Sequence, residues 1–277
     1  MKSSAMVGEA TRGRDYLQEW HDRHPGATSA MLDSLTDELG RTSYEVLADV
    51  IQDGDEPVLD LACGDGYLLE LLRPSRVCVG MDWNIAELDA ACRRIGHGAP
   101  LARANAAGLP VATAAFGAVA CHYALMLLQP LESVLAEVAR VLRPGGLLAT
   151  VLPAPPPENT PNPISVFRSA WQEVSGTYPV NVPPIQDDRA LQLEGLNGLL
   201  SNAGFSSALV LSFSASKPMT VDEAVGFLLL TYLPDLLPPA GYAHLTRVLK
   251  VELHALGKDT GTVTLVERSD LVTARRL

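Results

Sequence analysis

Long apolar runs are missing from this 277-residue chain. The longest, Ala224 to Leu233, is ten residues and stops at Pro234. That is about half of what a membrane-spanning helix requires. Met1 to Tyr16 is polar and lacks the apolar centre of a secretory leader. A cytoplasmic chain with no membrane partner is therefore expected. Cysteine is sparse: Cys63, Cys78, Cys92 and Cys121 show no metal-ligand or iron–sulfur spacing. No metal is expected, and reduced thiols fit such usage. Positive charge is in deficit, with 21 Lys and Arg against 32 Asp and Glu and a net charge of −11. No basic run compensates, so a surface for nucleic-acid phosphates is not expected. Internal repeats are absent as well.

What remains is 47% hydrophobic and 19% charged, a composition that can bury a sizeable core. The length suits one large α/β domain with insertions. Ser43 can cap a helix running to about Ile51, with Tyr44, Leu47, Ala48 and Ile51 on one face. Strand Pro57–Leu61, helix Gly66–Leu72, strand Val77–Met81 and helix Ala86–Ile95 follow, then a short strand near Leu101–Ala104. Phe116 to His122 reads as a buried strand and Leu131 to Leu142 as an amphipathic helix. That helix stops at Arg143-Pro144-Gly145-Gly146, before strand Leu147–Leu152. The alternation argues for a mostly parallel sheet covered on both faces.

After Leu152 the rhythm breaks. Pro153 to Pro163 carries six prolines. A helix is expected over Ile164–Val174, another over Leu191–Ala203, and a strand over Ser206–Phe213. A helical excursion, Val221–Leu256, is broken at Pro234 and Pro238-Pro239, and the chain returns as a strand over Gly261–Arg268. Two excursions on the later half of a sheet are most simply a lid over a site.

The chemistry concentrates in Val58 to Tyr67, Val-Leu-Asp-Leu-Ala-Cys-Gly-Asp-Gly-Tyr. An apolar strand with an acid inside it runs into small residues at alternating positions, Ala62, Gly64 and Gly66, before a helix. A strand, a tight turn and a helix N-terminus form the usual nucleotide-binding corner of an open α/β sheet. Asp82 ends the next apolar run about twenty residues on, the place of a ribose-binding carboxylate. The turn is not Gly-x-Gly-x-x-Gly, and Asp60 and Asp65 would repel a pyrophosphate. A cofactor with a cationic centre and an ammonium group tolerates them, which favours S-adenosylmethionine over NAD.

The set of motifs, in this order, resembles the class I S-adenosylmethionine-dependent methyltransferases. Within them it is similar to the group holding ubiquinone and menaquinone methyltransferases and many natural-product enzymes. The resemblance covers roughly Tyr44 to Leu152. It implies an α/β, Rossmann-like, seven-stranded and mostly parallel sheet, its last strand antiparallel, with helices on both faces and a helical lid. Residues 1–41 would form an N-terminal helical cap. Residues 42–277 would form the methyltransferase domain, with lid insertions at about 153–190 and 217–257. The cofactor S-adenosylmethionine would be held by Asp60, Ala62, Cys63, Gly64 and Gly66 at its methionine end. Asp82 would take the ribose hydroxyls and Trp83 the adenine face. Asn105, with Ala106 beside it, stands where the family usually has an aspartate on the adenine amino group. The run Arg140 to Gly146 is a structural hallmark. This chain departs from the pattern at Ala62, at Asn105 and at Phe116-Gly117, where the family has Phe-Asp.

His122, just past the fourth strand, is the first candidate for a general base that also touches the cofactor. Tyr16, His21 and His24 lie on a helix that closes the pocket in related enzymes, and Tyr16 and His21 join His122 as catalytic candidates. Trp171, Tyr178, Tyr232 and Tyr242 sit in the excursions, where an aromatic is as often core as substrate wall. The expected reaction is methyl transfer to a small, largely apolar, aromatic acceptor of secondary metabolism, on carbon, nitrogen or oxygen, by a monomer or homodimer. Two other classes stay open: a protein of this fold that binds the cofactor and acts as a non-methylating cyclase, and a nicotinamide oxidoreductase.

Overall fold

The computed structural model describes residues 2–52, 54–55, 57–74, 76–155 and 162–277, with side chains from residue 11 onward. Among them, three helices come first: α1 (Lys2–Arg23), α2 (Ala27–Leu32) and α3 (Ser43–Asp49). An alternating stretch follows: β1 (Val58–Leu61), α4 (Tyr67–Leu72), β2 (Cys78–Asp82), α5 (Ile85–Ile95), β3 (Leu101–Arg103), β4 (Phe116–His122), α6 (Leu131–Val141) and β5 (Leu142–Pro153). The later half holds α7 (Pro163–Thr177), α8 (Leu193–Asn202), β6 (Leu209–Thr220), α9 (Val221–Leu229), α10 (Pro239–Leu256) and β7 (Thr262–Arg275). The seven strands form one sheet in the order β3-β2-β1-β4-β5-β7-β6. β7 runs antiparallel to both its neighbours, and the pairs among β1 to β5 are parallel. This is the expected Rossmann-like sheet, and its chain reversal lies between β1 and β4, where open α/β sheets bind ligands. No helix among the described residues is long and apolar enough to cross a membrane.

Strand alternation divides the core. Leu59, Leu61, Val119, Cys121 and Leu148 face one way and pack under α6 and α8. Val58, Ala118, Ala120, Ala149 and Val151 face the other way and pack under α3, α4 and α5. A third cluster gathers α7, α9 and α10 around the far ends of β6 and β7, with Val174, Leu228, Leu245, Leu249 and Leu265 at its centre.

Several expectations are corrected. Thr42, not Ser43, caps α3: its hydroxyl accepts from Glu45 N–H, and Glu45 returns the bond to the Thr42 amide, a closed capping box. That leaves the Ser43 hydroxyl free for another partner. β5 begins at Leu142, so Arg143 to Gly146 lies inside the strand, beside a register shift against Phe116 and Ala118. β6 and β7 run well past Phe213 and Arg268, and pair from Leu209↔Thr273 to Thr220↔Thr262. The excursion expected from residue 217 therefore starts inside a strand. Most of the Pro153–Pro163 stretch lies outside the described residues. At Gly117 an added Cβ would lie 2.5 Å from the Asp55 carbonyl oxygen. That packing accounts for glycine where the family has aspartate.

Candidate active site

The turn after β1 is built from left-handed backbone. Ala62, Gly64 and Gly66 have φ of 57°, 51° and 79°, so the alternation of small residues is an alternation of positive φ. Gly66 is also closely packed, since a Cβ there would meet the Ala91 Cβ at 3.1 Å. The Gly64 N–H donates to Asp82 Oδ2 at 2.9 Å, and the Asn84 N–H donates to Asp82 Oδ1 at 2.7 Å. The carboxylate that ends β2 thus fastens the turn after β1. Burial raises the Asp82 pKa, against the pull of those two amides.

A cleft opens above the ends of β1, β2 and β4, with about 1230 Å³ of space including its open mouth. Asp60, Ala62, Cys63, Asp82, Trp83, Asn105, Ala106, His122 and His21, all named from sequence, line it. Gly64 and Gly66 shape the turn without lining the cleft. Asp60 is 2% exposed, and its Oδ2 finds no hydrogen-bond donor among the described residues. Burial and the charges of Asp82 and Asp65 push its pKa well above the carboxylate range. Asp65 does not line the cleft. Its carboxylate takes the Ser29 hydroxyl at 2.6 Å and pairs with Arg94, a local structural role. The acids at the cleft are therefore Asp60, Asp82 and Glu87, and Asp65, expected beside the cofactor, is not among them.

His122 is sealed. Its Nε2 is hydrogen-bonded to Ser43 Oγ at 2.9 Å, its ring stacks on Tyr44 at 3.6 Å, and its Nδ1 is buried without a partner. Burial lowers its pKa to about 3, so the imidazole is neutral and a weak proton acceptor. The next residue, Tyr123, holds a positive φ of 51° and lines the same cleft. Tyr16 stands off the cleft, and its hydroxyl donates to the backbone carbonyl of Tyr232. His24 and Arg23 bond Asp235 instead of the cleft. Of the aromatics in the excursions, Tyr232 lines the cleft, whereas Trp171 and Tyr178 belong to the third core cluster.

Asn105 Oδ1 accepts the Ala107 N–H at 3.0 Å. The loop that carries it is held from α6: Arg140 donates to the carbonyls of Val111 and Leu109, while Glu137 accepts the Leu109 N–H at 2.8 Å. This gives the hallmark run beginning at Arg140 its structural purpose. Trp83 donates from Nε1 to Gln18 Oε1 at 2.8 Å and lies under the Arg103 guanidinium, so α1 is joined to the end of β2.

Sequence reasoning missed Glu87, Gln18 and Ser43. A signal existed for Glu87, because Asn84-x-x-Glu87 has the form of a capping box. Asn84 does cap α5, but the Glu87 side chain turns away to the Gly26 N–H at 2.9 Å and to His21 at 2.7 Å.

Residues 59–150 match the family model described as "Methyltransferase domain". Those residues form an S-adenosylmethionine-dependent methyltransferase domain. Among curated proteins, this domain is similar to the ubiquinone/menaquinone biosynthesis C-methyltransferase UbiE of Desulfotalea psychrophila. The two are 36% identical over 126 residues, 44% of this chain and 51% of that protein. It is also similar to the demethylmenaquinone methyltransferase of Corynebacterium urealyticum, 40% identical over 97 residues, 35% of this chain and 40% of the relative. The chain thus spans about half the length, or less, of these curated relatives. Two solved structures share the methyltransferase domain's fold. The YcgJ protein of Bacillus subtilis has a TM-score of 0.58 at 16% identity, covering 84% of this chain and 97% of its own. The [4+2]-cyclase SpnF has a TM-score of 0.52 at 19% identity, covering 84% and 80%.

Proposed function

We propose that this protein transfers a methyl group from S-adenosylmethionine to a small, largely apolar acceptor. The observation that carries the reading is the cleft's polar lining: two acids, Asp60 and Asp82, beside a left-handed glycine turn. The orphaned Asp60 Oδ2 fits a cationic ligand, whose charge would draw the raised carboxyl pKa back down. Asp82 has lone pairs left for ribose hydroxyls after its two amide bonds. Trp83 offers an aromatic face, and Asn105 and Ala106 would close the adenine side. When bound, S-adenosylmethionine supplies an activated methyl group on a sulfonium sulfur.

The protein then has to align the acceptor and exclude water. Leu17, Leu127, Leu128, Val134 and Ile185 supply an apolar wall. That wall suits a compact aromatic acceptor of secondary metabolism. We assign His122 a positioning role as a neutral hydrogen-bonding group, because burial makes it a poor base. We read α1 as a cap joined to the site through Gln18 and His21, and the 230–236 segment as the part of the excursions nearest the acceptor.

Two measurements test this. Titration calorimetry should show micromolar-range binding of S-adenosylhomocysteine, weakened roughly ten-fold or more in Asp82→Ala, as loss of a charged hydrogen-bond partner requires. Mass spectrometry across an acceptor panel should find a product heavier by one methyl. Tight cofactor binding with a rearranged product of unchanged mass would instead support a cyclase, an outcome worth testing because SpnF shares the fold.

A further inference from the structure

A second polar chain crosses the cleft and is not needed by the cofactor turn. Glu87, 4% exposed on α5, places Oε1 2.7 Å from His21 Nδ1. His21 Nε2 lies 3.1 Å from the Tyr232 hydroxyl. All three residues line the cleft. A carboxylate can only accept, so in the neutral imidazole the proton sits on Nδ1. Nε2 then accepts from the Tyr232 hydroxyl, whose oxygen keeps lone pairs for another donor. The Tyr232 ring is fixed edge-on to Trp20 at 4.7 Å, and its backbone carbonyl takes the Tyr16 hydroxyl. The three groups come from α1, α5 and the segment after α9, and their alignment turns one phenol into a site.

We propose that Tyr232, His21 and Glu87 form a proton relay, and that the acceptor is therefore one with an ionisable hydroxyl, a phenol or an enol. The inference rests on the methyl-transfer reading and adds the substrate class. In the step, the acceptor O–H proton passes to the Tyr232 oxygen while the phenolic proton passes to His21 Nε2. The acceptor oxygen uses the freed lone pair to bond the methyl carbon. Bound S-adenosylmethionine would supply that methyl, with the pair of its carbon–sulfur bond staying on sulfur. The imidazolium, beside Glu87 and within the field of Asp82, later gives one proton to water. One proton is released per methyl transferred. Tyr232 is the catalytic residue of the three, and His21 and Glu87 act through it.

The test compares 1-naphthol, which must lose a proton, with isoquinoline, whose ring nitrogen need not. Tyr232→Phe keeps the ring packing and the backbone carbonyl. Its kcat should fall about a hundred-fold or more with 1-naphthol, the usual scale for a lost general base. That loss should exceed the loss with isoquinoline by at least ten-fold, while KM changes little. In Glu87→Gln kcat should likewise fall further with 1-naphthol than with isoquinoline, because the imidazolium has lost its carboxylate. Nitrogen-15 NMR of histidine-labelled protein should show His21 as the Nδ1–H tautomer. Equal losses for both acceptors in either variant, or an Nε2–H tautomer, would each overturn the relay. A wild type that methylates isoquinoline but no phenol overturns the relay and leaves methyl transfer standing. A wild type that methylates neither tells against both.

Discussion

Replacing Asp60 with asparagine should make the cofactor-free protein more stable and its cofactor binding weaker. The folded protein buries this carboxyl at 2% exposure with Oδ2 lacking a donor, next to Asp82 and Asp65. An uncompensated buried polar group of this kind costs about 1–3 kcal/mol. The pH dependence follows in sign. The folded pKa is raised above the ordinary value of 3.8 by burial and then by the two neighbouring acids. Below 3.8 both folded and unfolded carboxyls are protonated and nothing is lost. As pH rises from there through the folded pKa, the unfolded chain ionises more readily and stability falls. Asp60→Asn removes that slope. Scanning fluorimetry from pH 5 to 8.5 should show a variant Tm higher by about 2–6 °C at the alkaline end, on the scale expected for this chain length. The advantage should shrink towards acid. Calorimetry on the same samples should show S-adenosylmethionine binding weakened by about ten- to a hundred-fold, the worth of one charge-assisted hydrogen bond. A variant less stable than wild type at pH 8 with unchanged affinity would refute the reasoning, because Asp60 would then be a satisfied structural carboxylate.

Other expectations are shorter. Glu267, half-buried beside the Tyr123 hydroxyl at 3.1 Å, has its pKa pushed up to about 7 by desolvation. Wild-type Tm should therefore fall between about pH 4.5 and 7, and Glu267→Gln should flatten that fall in a fluorimetric pH series. Thr42→Ala removes the capping box of α3 and should cost about 1 kcal/mol in urea unfolding, whereas an unshifted midpoint would mean the cap is idle. Gly117→Ala should lower expression and Tm sharply, since its Cβ would overlap the Asp55 carbonyl. Ser43→Ala should leave S-adenosylhomocysteine affinity near wild type while raising KM for the acceptor, if Ser43 serves to hold the His122 ring.

The cofactor half of the site was legible because its signals are local. Ala62, Gly64 and Gly66 announce left-handed backbone within seven residues, and Asp82 ends a strand that periodicity reveals. The roof was not legible, because its partners are far apart in the chain. His21 meets Glu87 66 positions away and Tyr232 211 positions away. Nothing in either segment alone says that they touch. The length of β6 was hidden for a different reason. Ser214 to Thr220 is polar and contains Pro218, which reads as loop. β6 is an edge strand, where a proline lacking its N–H is tolerated on the open side. Ser43 was misread because two adjacent hydroxyl residues compete for one cap, and the Thr42–Glu45 pairing decides it.

The β6–β7 ladder reaches beyond β5. Its first rungs, near Leu209 and Thr273, are continuous with the nucleotide-binding sheet, and its last, near Thr220 and Thr262, belong to the cluster of α7, α9 and α10. The antiparallel pair is thus a graft point. A chimaera exchanging residues 217 to 264 would replace α9, α10 and the Tyr232 segment in one piece while leaving β1, β2, β4 and the glycine turn untouched. Acceptor choice could then diverge, or be engineered, as a cassette carried on two strands, without re-evolving the half of the molecule that handles the adenosyl group.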